Sequence, residues 1–288
     1  MYGAIIGDIV GSQHEFDGFK FKTFPLFSVD CDFTDDTVMT IAVASALLRS
    51  GEEQRCFQEV LVEEMQRFGR AYPFPQGGYG GRFGQWLRME DPEPYFSFGN
   101  GSAMRVSPCG LFAVTLEEAL ALAEASAEAT HNHPEGIKGA QAAAAAVFLA
   151  KCGRSKGEIR DYIRENFYAL DQTLDEIRPT YYFNESCQGT VPQAIQAFLE
   201  SENFEDAIRN AVSLGGDGDT LTAITGSIAW QFYSTHMVPT NEMTAIRDRA
   251  AAYLPEDLRE IADKFDDLCV RRMDAYGKTG NVPPISLE

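Results

Sequence analysis

Residues 134–151 read PEGIKGAQAAAAAVFLAK, with five consecutive alanines at positions 142–146. Proline suits the first turn of a helix, and alanine is the strongest helix former, with almost no side chain to hold a neighbour away. The stretch therefore predicts a helix from Pro134 to Lys151 packed closely against others. Helical spacing recurs on both sides of it. Val38, Ile41, Ala42, Ala44 and Leu48 mark a helix over 36–48. Further helices are expected over 55–70, 116–130, 155–167, 191–199, 204–212, 219–233 and 255–276. Polar–apolar alternation is rare, and the best strand candidate, 178–183, is short. No repeat, low-complexity tract or linker interrupts the 288 residues. The expectation is one all-α domain over 1–288, with long loops between 70 and 102 where glycine and proline concentrate.

Composition narrows the function. The chain is 44% hydrophobic and 23% charged, which suits a folded domain with a large core. Its 43 acidic against 24 basic residues give a net charge of −19, and no Lys/Arg-rich run offers a nucleic-acid surface. No apolar run approaches the ~20 residues of a membrane span. The N-terminus, Met1-Tyr2-Gly3-Ala4-Ile5-Ile6-Gly7-Asp8, lacks the basic region of a signal peptide. Six cysteines form no CxxC and no zinc-finger spacing with histidine, so a reduced, cytoplasmic protein is expected.

Two acidic clusters stand out: Phe33-Thr34-Asp35-Asp36-Thr37 and Gly215-Gly216-Asp217-Gly218-Asp219-Thr220. Each places carboxylates and a threonine at the start of an expected helix. Either alone is satisfied by an ordinary helix cap, with acidic residues favoured by the helix dipole. Two such clusters of like chemistry point instead to a shared cation site. An all-oxygen ligand set suits Mg²⁺, Mn²⁺ or Ca²⁺ rather than Zn²⁺. Neither cluster is an EF-hand, because the twelfth loop position, Ile41 counted from Asp30 or Ile228 counted from Asp217, is not glutamate. The Gly77–Gly81 loop offers successive N–H groups to a diphosphate, yet no Gly-Lys-Ser/Thr follows it as in a P-loop. Around it, Tyr79, Phe83, Trp86, Tyr95, Phe96 and Phe98 are candidates for an aromatic stacking face, shared with the core.

The order Gly7-Asp8, Gly11-Ser12-x-x-Glu15, Phe33-Thr34-Asp35-Asp36-Thr37, Gly99-Asn100-Gly101-Ser102-Ala103-Met104-Arg105, Thr130-His131-x-His133-Pro134 and Gly216-Asp217-x-Asp219-Thr220 resembles the ADP-ribosylglycohydrolase family. The resemblance implies an all-α orthogonal bundle with two Mg²⁺ or Mn²⁺ ions in a cleft. Thr34, Asp35, Asp36, Asp217, Asp219 and Thr220 would be the metal ligands. Glu15 matches the family's mobile-loop glutamate, and with Asp35 it is the candidate acid or base. Gly78, Tyr79, Gly80, Gly99, Asn100, Gly101, Ser102, Met104 and His131 are the candidate substrate-binding residues. The substrate would be an ADP-ribosylated protein or a small-molecule ADP-ribose conjugate, hydrolysed at ribose C1″.

The sequence departs from the family pattern at Gly218, where threonine or serine is usual, and carries no aspartate in Tyr95-Phe96-Ser97-Phe98 before the Gly-Asn-Gly segment. Gly218 is expected to loosen its turn. Met104 and Arg105 are expected to begin a helix, Arg105 to pair with a buried carboxylate, and His133 to be structural. Two other readings remain open from the residues: a dimetal phosphoesterase, which would release inorganic phosphate, and a non-catalytic ADP-ribose-binding protein.

Overall fold

In the computed structural model, which describes residues 1–236 and 241–287, the chain is all-α. The helices are α1 Tyr2–Ser12, α2 Asp35–Glu53, α3 Phe57–Ala71, α4 Gly81–Trp86, α5 Gly101–Met104, α6 Ser107–Phe112, α7 Leu116–Glu128 and α8 Pro134–Lys151. They continue as α9 Lys156–Asn166, α10 Leu174–Ile177, α11 Cys187–Leu199, α12 Phe204–Val212, α13 Gly218–His236, α14 Asn241–Ala251 and α15 Glu256–Thr279. Among the described residues, extended pairing is confined to two isolated bridges, Thr34 with Gln76 and Gly99 with Ser186. No described helix is long and apolar enough to cross a membrane. All six cysteines are free thiols.

The centre of the fold is the pair α1 and α13. Every residue of α1 is buried, and α13 is buried continuously from Gly218 to Ala229. A helix buried all round needs close neighbours on every side. Here the closeness comes from glycines at every fourth position of α1. A Cβ on Gly3 would lie 2.3 Å from the Gly226 carbonyl oxygen, one on Gly7 2.0 Å from that of Thr222, and one on Gly11 2.3 Å from that of Gly218. The two backbones touch, and nothing larger than hydrogen fits between them. Around this pair, α8 packs its alanine face against α6, α7, α11 and α13, as the 142–146 run implies.

Several expectations need correction. Residues 178–183 are not a strand: Arg178, Thr180 and Tyr181 N–H groups bond back to Leu174 and Ile177 carbonyls, prolonging the α10 turn. Met104 and Arg105 end a helix instead of beginning one, with Arg105 at the C-cap of α5. Gly218 does not simply loosen a turn. A Cβ there would lie 2.9 Å from the His14 carbonyl oxygen and 3.0 Å from that of Gly11, so glycine permits the end of α1 to lie flat on the start of α13. His133 is structural as expected: its Nδ1 accepts from the Glu135 N–H at 3.0 Å and caps α8.

Candidate active site

The same packing sets the site. Where α1 ends, the chain leaves into the loop that carries Glu15; beside it begin α2, with Asp35 and Asp36, and α13, with Asp219. Thr34 caps α2, its Oγ1 accepting from the Asp36 N–H at 3.1 Å. That hydroxyl also donates to Asp8 Oδ1 at 2.7 Å, while Asp8 Oδ2 accepts from the Thr34 and Thr37 N–H groups at 3.0 and 3.1 Å. Asp8, fully buried on α1, thus fastens the start of α2 to the central pair. Thr220 links the clusters, its N–H donating to Asp219 Oδ1 at 2.8 Å and its hydroxyl to Asp36 Oδ1 at 3.4 Å. Asn100 Nδ2 holds Asp217 Oδ2 at 2.6 Å.

A cleft of about 320 Å³ opens over these residues. Glu15, Asp35, Asp36, Asp217, Asp219, Thr220, Gly78, Gly80, Gly99, Asn100, Gly101, Met104 and His131 all line it, so residues spread over the chain meet in one place. Three of the expected residues do not line it. Thr34 lies behind, bonded to Asp8; Tyr79 turns its hydroxyl to the Tyr72 carbonyl at 2.8 Å; Ser102 donates to the Gly136 carbonyl at 2.7 Å. Of the aromatic candidates, Phe83 and Tyr95 reach the cleft, whereas Trp86 is fully buried and unavailable for stacking on a ligand. A larger cavity of about 640 Å³, lined by Leu47, Phe112, Leu268 and Arg272 among others, contains none of the clustered carboxylates.

Glycine at 77 and 78 has a specific cause. Both adopt positive φ, +74° and +79°, and a Cβ on Gly77 would lie 2.5 Å from Glu15 Oε2. The Glu15 carboxylate therefore rests directly on the glycine loop. Gln76 anchors that loop by donating to the carbonyls of Ser12 and Asp30, at 3.2 and 3.1 Å.

The electrostatics are those of buried carboxyls crowded against one another. Burial, then the charge of Asp219, pushes the Asp8 carboxyl up to about 7. Burial, then Asp219, Asp8 and Glu185, pushes Glu15 up to about 8. Asp35, Asp36 and Asp217 are all raised well above the carboxylate range, first by burial and then by Asp219. Oxygens of Glu15, Asp217 and Asp219 lie within 4.8 Å of one another, and Asp36 Oδ2 is buried with no hydrogen-bond partner. A buried acceptor without a donor, among carboxylates that repel each other, fits a hard divalent cation.

Sequence reasoning gave no role to Asp8, Arg82, Phe183 or Glu185, of which the last three line the cleft. Asp8 carried a signal, since it is the sole charge in the apolar run 2–10 and a buried charge needs partners. Phe183 and Glu185 carried none, because they sit in an irregular segment brought over the cleft by tertiary structure.

Comparison with known proteins gives a consistent picture. The family model described as ADP-ribosylglycohydrolase matches residues 1–275. An uncharacterized protein of Archaeoglobus fulgidus is 32% identical over 61% of this chain, a match that spans only 60% of that protein's length. ADP-ribosylarginine hydrolase Tri1 of Serratia proteamaculans is 25% identical, covering 83% of this chain and 72% of its own. Human ADP-ribosylhydrolase ARH3 is 28% identical, covering 82% and 85%. A solved structure titled ADP-ribosylglycohydrolase-related protein complex superposes with a TM-score of 0.66 at 25% identity, covering 94% of this chain and 95% of that one.

Proposed function

The chain belongs to the ADP-ribosylglycohydrolase family, and we propose that it hydrolyses the glycosidic bond at ribose C1″ of an ADP-ribosylated protein or small molecule, releasing ADP-ribose. The observation that carries this reading is the convergence of Glu15, Asp35, Asp36, Asp217 and Asp219 with the Gly99–Gly101 turn on one cleft. A phosphoesterase would share the carboxylates, and the family match over residues 1–275 is what favours glycosidic cleavage over it.

Asp35, Asp36, Asp217, Asp219 and the hydroxyl of Thr220 are the proposed ligands for two Mg²⁺ or Mn²⁺ ions, whereas the Thr34 hydroxyl, expected from the sequence as a further ligand, is committed to Asp8 and to the Asp36 N–H. When bound, such ions supply Lewis-acid polarisation and lower the pKa of water. The remaining work falls to the chain's own groups. Cleavage passes through an oxocarbenium-like state and needs one proton taken from the attacking water and one given to the leaving group. Glu15 and Asp35 are the carboxylates proposed for this exchange. Glu15 sits on a loop and is half-buried, which lets it meet the scissile bond while its back rests on Gly77. Asn100 Nδ2 keeps Asp217 in place by a 2.6 Å hydrogen bond.

The test uses proteins ADP-ribosylated separately on arginine and on serine, incubated with Mg²⁺ or with EDTA, and followed by chromatography of released ADP-ribose. Release with Mg²⁺ and none with EDTA is expected, and the preferred substrate identifies the acceptor. Inorganic phosphate in place of ADP-ribose would establish the phosphoesterase reading. Neither release nor ADP-ribose binding would overturn the assignment of the cleft.

A further inference from the structure

The expectation that Arg105 pairs with a carboxylate fails, and the actual arrangement has a chemical consequence. Arg105 is 1% exposed. Its Nη1 donates to the Gly101 carbonyl at 3.0 Å, and its Nη2 to the Ser126 carbonyl at 2.9 Å and to Thr130 Oγ1 at 2.8 Å. A guanidinium offers donors only, so Thr130 Oγ1 must be the acceptor in that contact. The hydroxyl keeps one hydrogen of its own. Thr130 is fully buried, and the only other hydrogen-bond partner of its hydroxyl among the described residues is His131 Nδ1, at 2.7 Å. Leaving a buried hydroxyl hydrogen unpaired is costly, so it is directed at Nδ1.

His131 is 5% exposed, and burial, then the charges of Arg105 and Arg82, hold its pKa well below the usual imidazole value. A neutral imidazole whose Nδ1 accepts carries its single proton on Nε2. That nitrogen has no hydrogen-bond partner among the described residues. It lies 3.1 Å from the position a Cβ would take on Gly101 and 3.4 Å from that on Gly99, directly over the glycine turn that lines the cleft.

We infer that Arg105 and Thr130 are positioning residues that lock His131 as the Nε2–H tautomer, presenting one neutral N–H donor to an oxygen acceptor of the ligand in the cleft. The tautomer follows from the hydrogen-bond chain alone; only the identity of the ligand, ADP-ribose, rests on the function proposed above. The relay makes the histidine a fixed donor. A carbonyl in place of Thr130 Oγ1 would have produced the opposite tautomer and an acceptor facing the ligand.

The experiment is a long-range ¹H–¹⁵N correlation spectrum of the histidine side chains in the full-length wild-type protein near neutral pH, with His131 assigned by its loss in His131→Gln. A protonated Nε2 and a bare Nδ1 are expected. The second variant is T130V, which keeps the shape and removes the hydroxyl; it is expected to lose the single-tautomer pattern and to weaken ADP-ribose binding by about tenfold. T130S is expected to restore both. A wild-type His131 protonated at Nδ1 overturns the proposal whether or not the variants fold. So does a T130V protein with unchanged tautomer, or with changed tautomer and unchanged affinity. Failure of wild type to bind ADP-ribose at all would instead count against the proposed function, with the spectrum still deciding the tautomer.

Discussion

At the scale of single residues, Asp35 and Glu15 reach the same cleft from different elements, and substitution of each tests a different part of the proposed function. Asp35 stands among the raised carboxylates at the start of α2, and Glu15 reaches the same cleft from a loop. Replacing Asp35 with alanine is therefore expected to abolish divalent-cation binding and turnover together, read by calorimetric titration with Mg²⁺ and by ADP-ribose release. Replacing Glu15 with alanine is expected to lower turnover by roughly 10²–10⁴-fold while ADP-ribose still binds. A Glu15→Ala protein of normal activity would remove Glu15 from the chemistry. Carboxylate pairs beside threonine at two helix starts were legible in the sequence because adjacent like charges need a reason. Arg105 was not, because its partners are carbonyls and a hydroxyl, which leave no pattern of opposite charge to read.

At the scale of elements, helix periodicity and alanine content located most of the helices, and α8 and α12 begin and end where the sequence predicts. What the sequence hid was α1. Its eleven residues are buried on every side, so no polar face marks a helical period. Short elements such as α4, α5, α6 and α10, of six or four residues, are also too brief to establish one. The spacing Gly3, Gly7, Gly11 was visible but became meaningful only against the backbone of α13. It carries a strong expectation. In Gly7→Ala the new methyl would stand 2.0 Å from the Thr222 oxygen, a contact that only separation of α1 from α13 relieves. A loss of roughly 1–3 kcal/mol or more is expected in denaturant unfolding. Because Asp8 lies on α1 and the Glu15 loop follows it, cation affinity should fall with stability. Unchanged stability would mean that the two helices are not held at backbone contact.

At the scale of the whole molecule, the carboxylate cluster couples stability to pH. Asp8 is raised to about 7 and Glu15 to about 8, and burial together with the charge of Asp219 raises Asp35, Asp36 and Asp217 well above the usual carboxylate range. In the unfolded chain such groups titrate near pH ~4. Between those limits the folded state binds more protons than the unfolded state, so cation-free stability is greatest at low pH and falls as pH rises through the folded values. His131, with its lowered pKa, has the opposite sign below about pH 6.5, one group against five. Lys151 and Lys156, each lowered to about 8, add a rising contribution only above that value. In EDTA, the melting temperature is therefore expected to fall between about pH 5 and about pH 7.5. Divalent cations bind the deprotonated carboxylates and must displace these protons, so stabilisation by Mg²⁺ should be larger at the upper pH than at the lower. Scanning calorimetry at both values, with EDTA and with Mg²⁺, measures all four melting temperatures. A cation-free melting temperature that rises across the interval, with an equal Mg²⁺ shift at each end, would show that the clustered carboxylates do not store repulsion and that the fold has no need of an ion there.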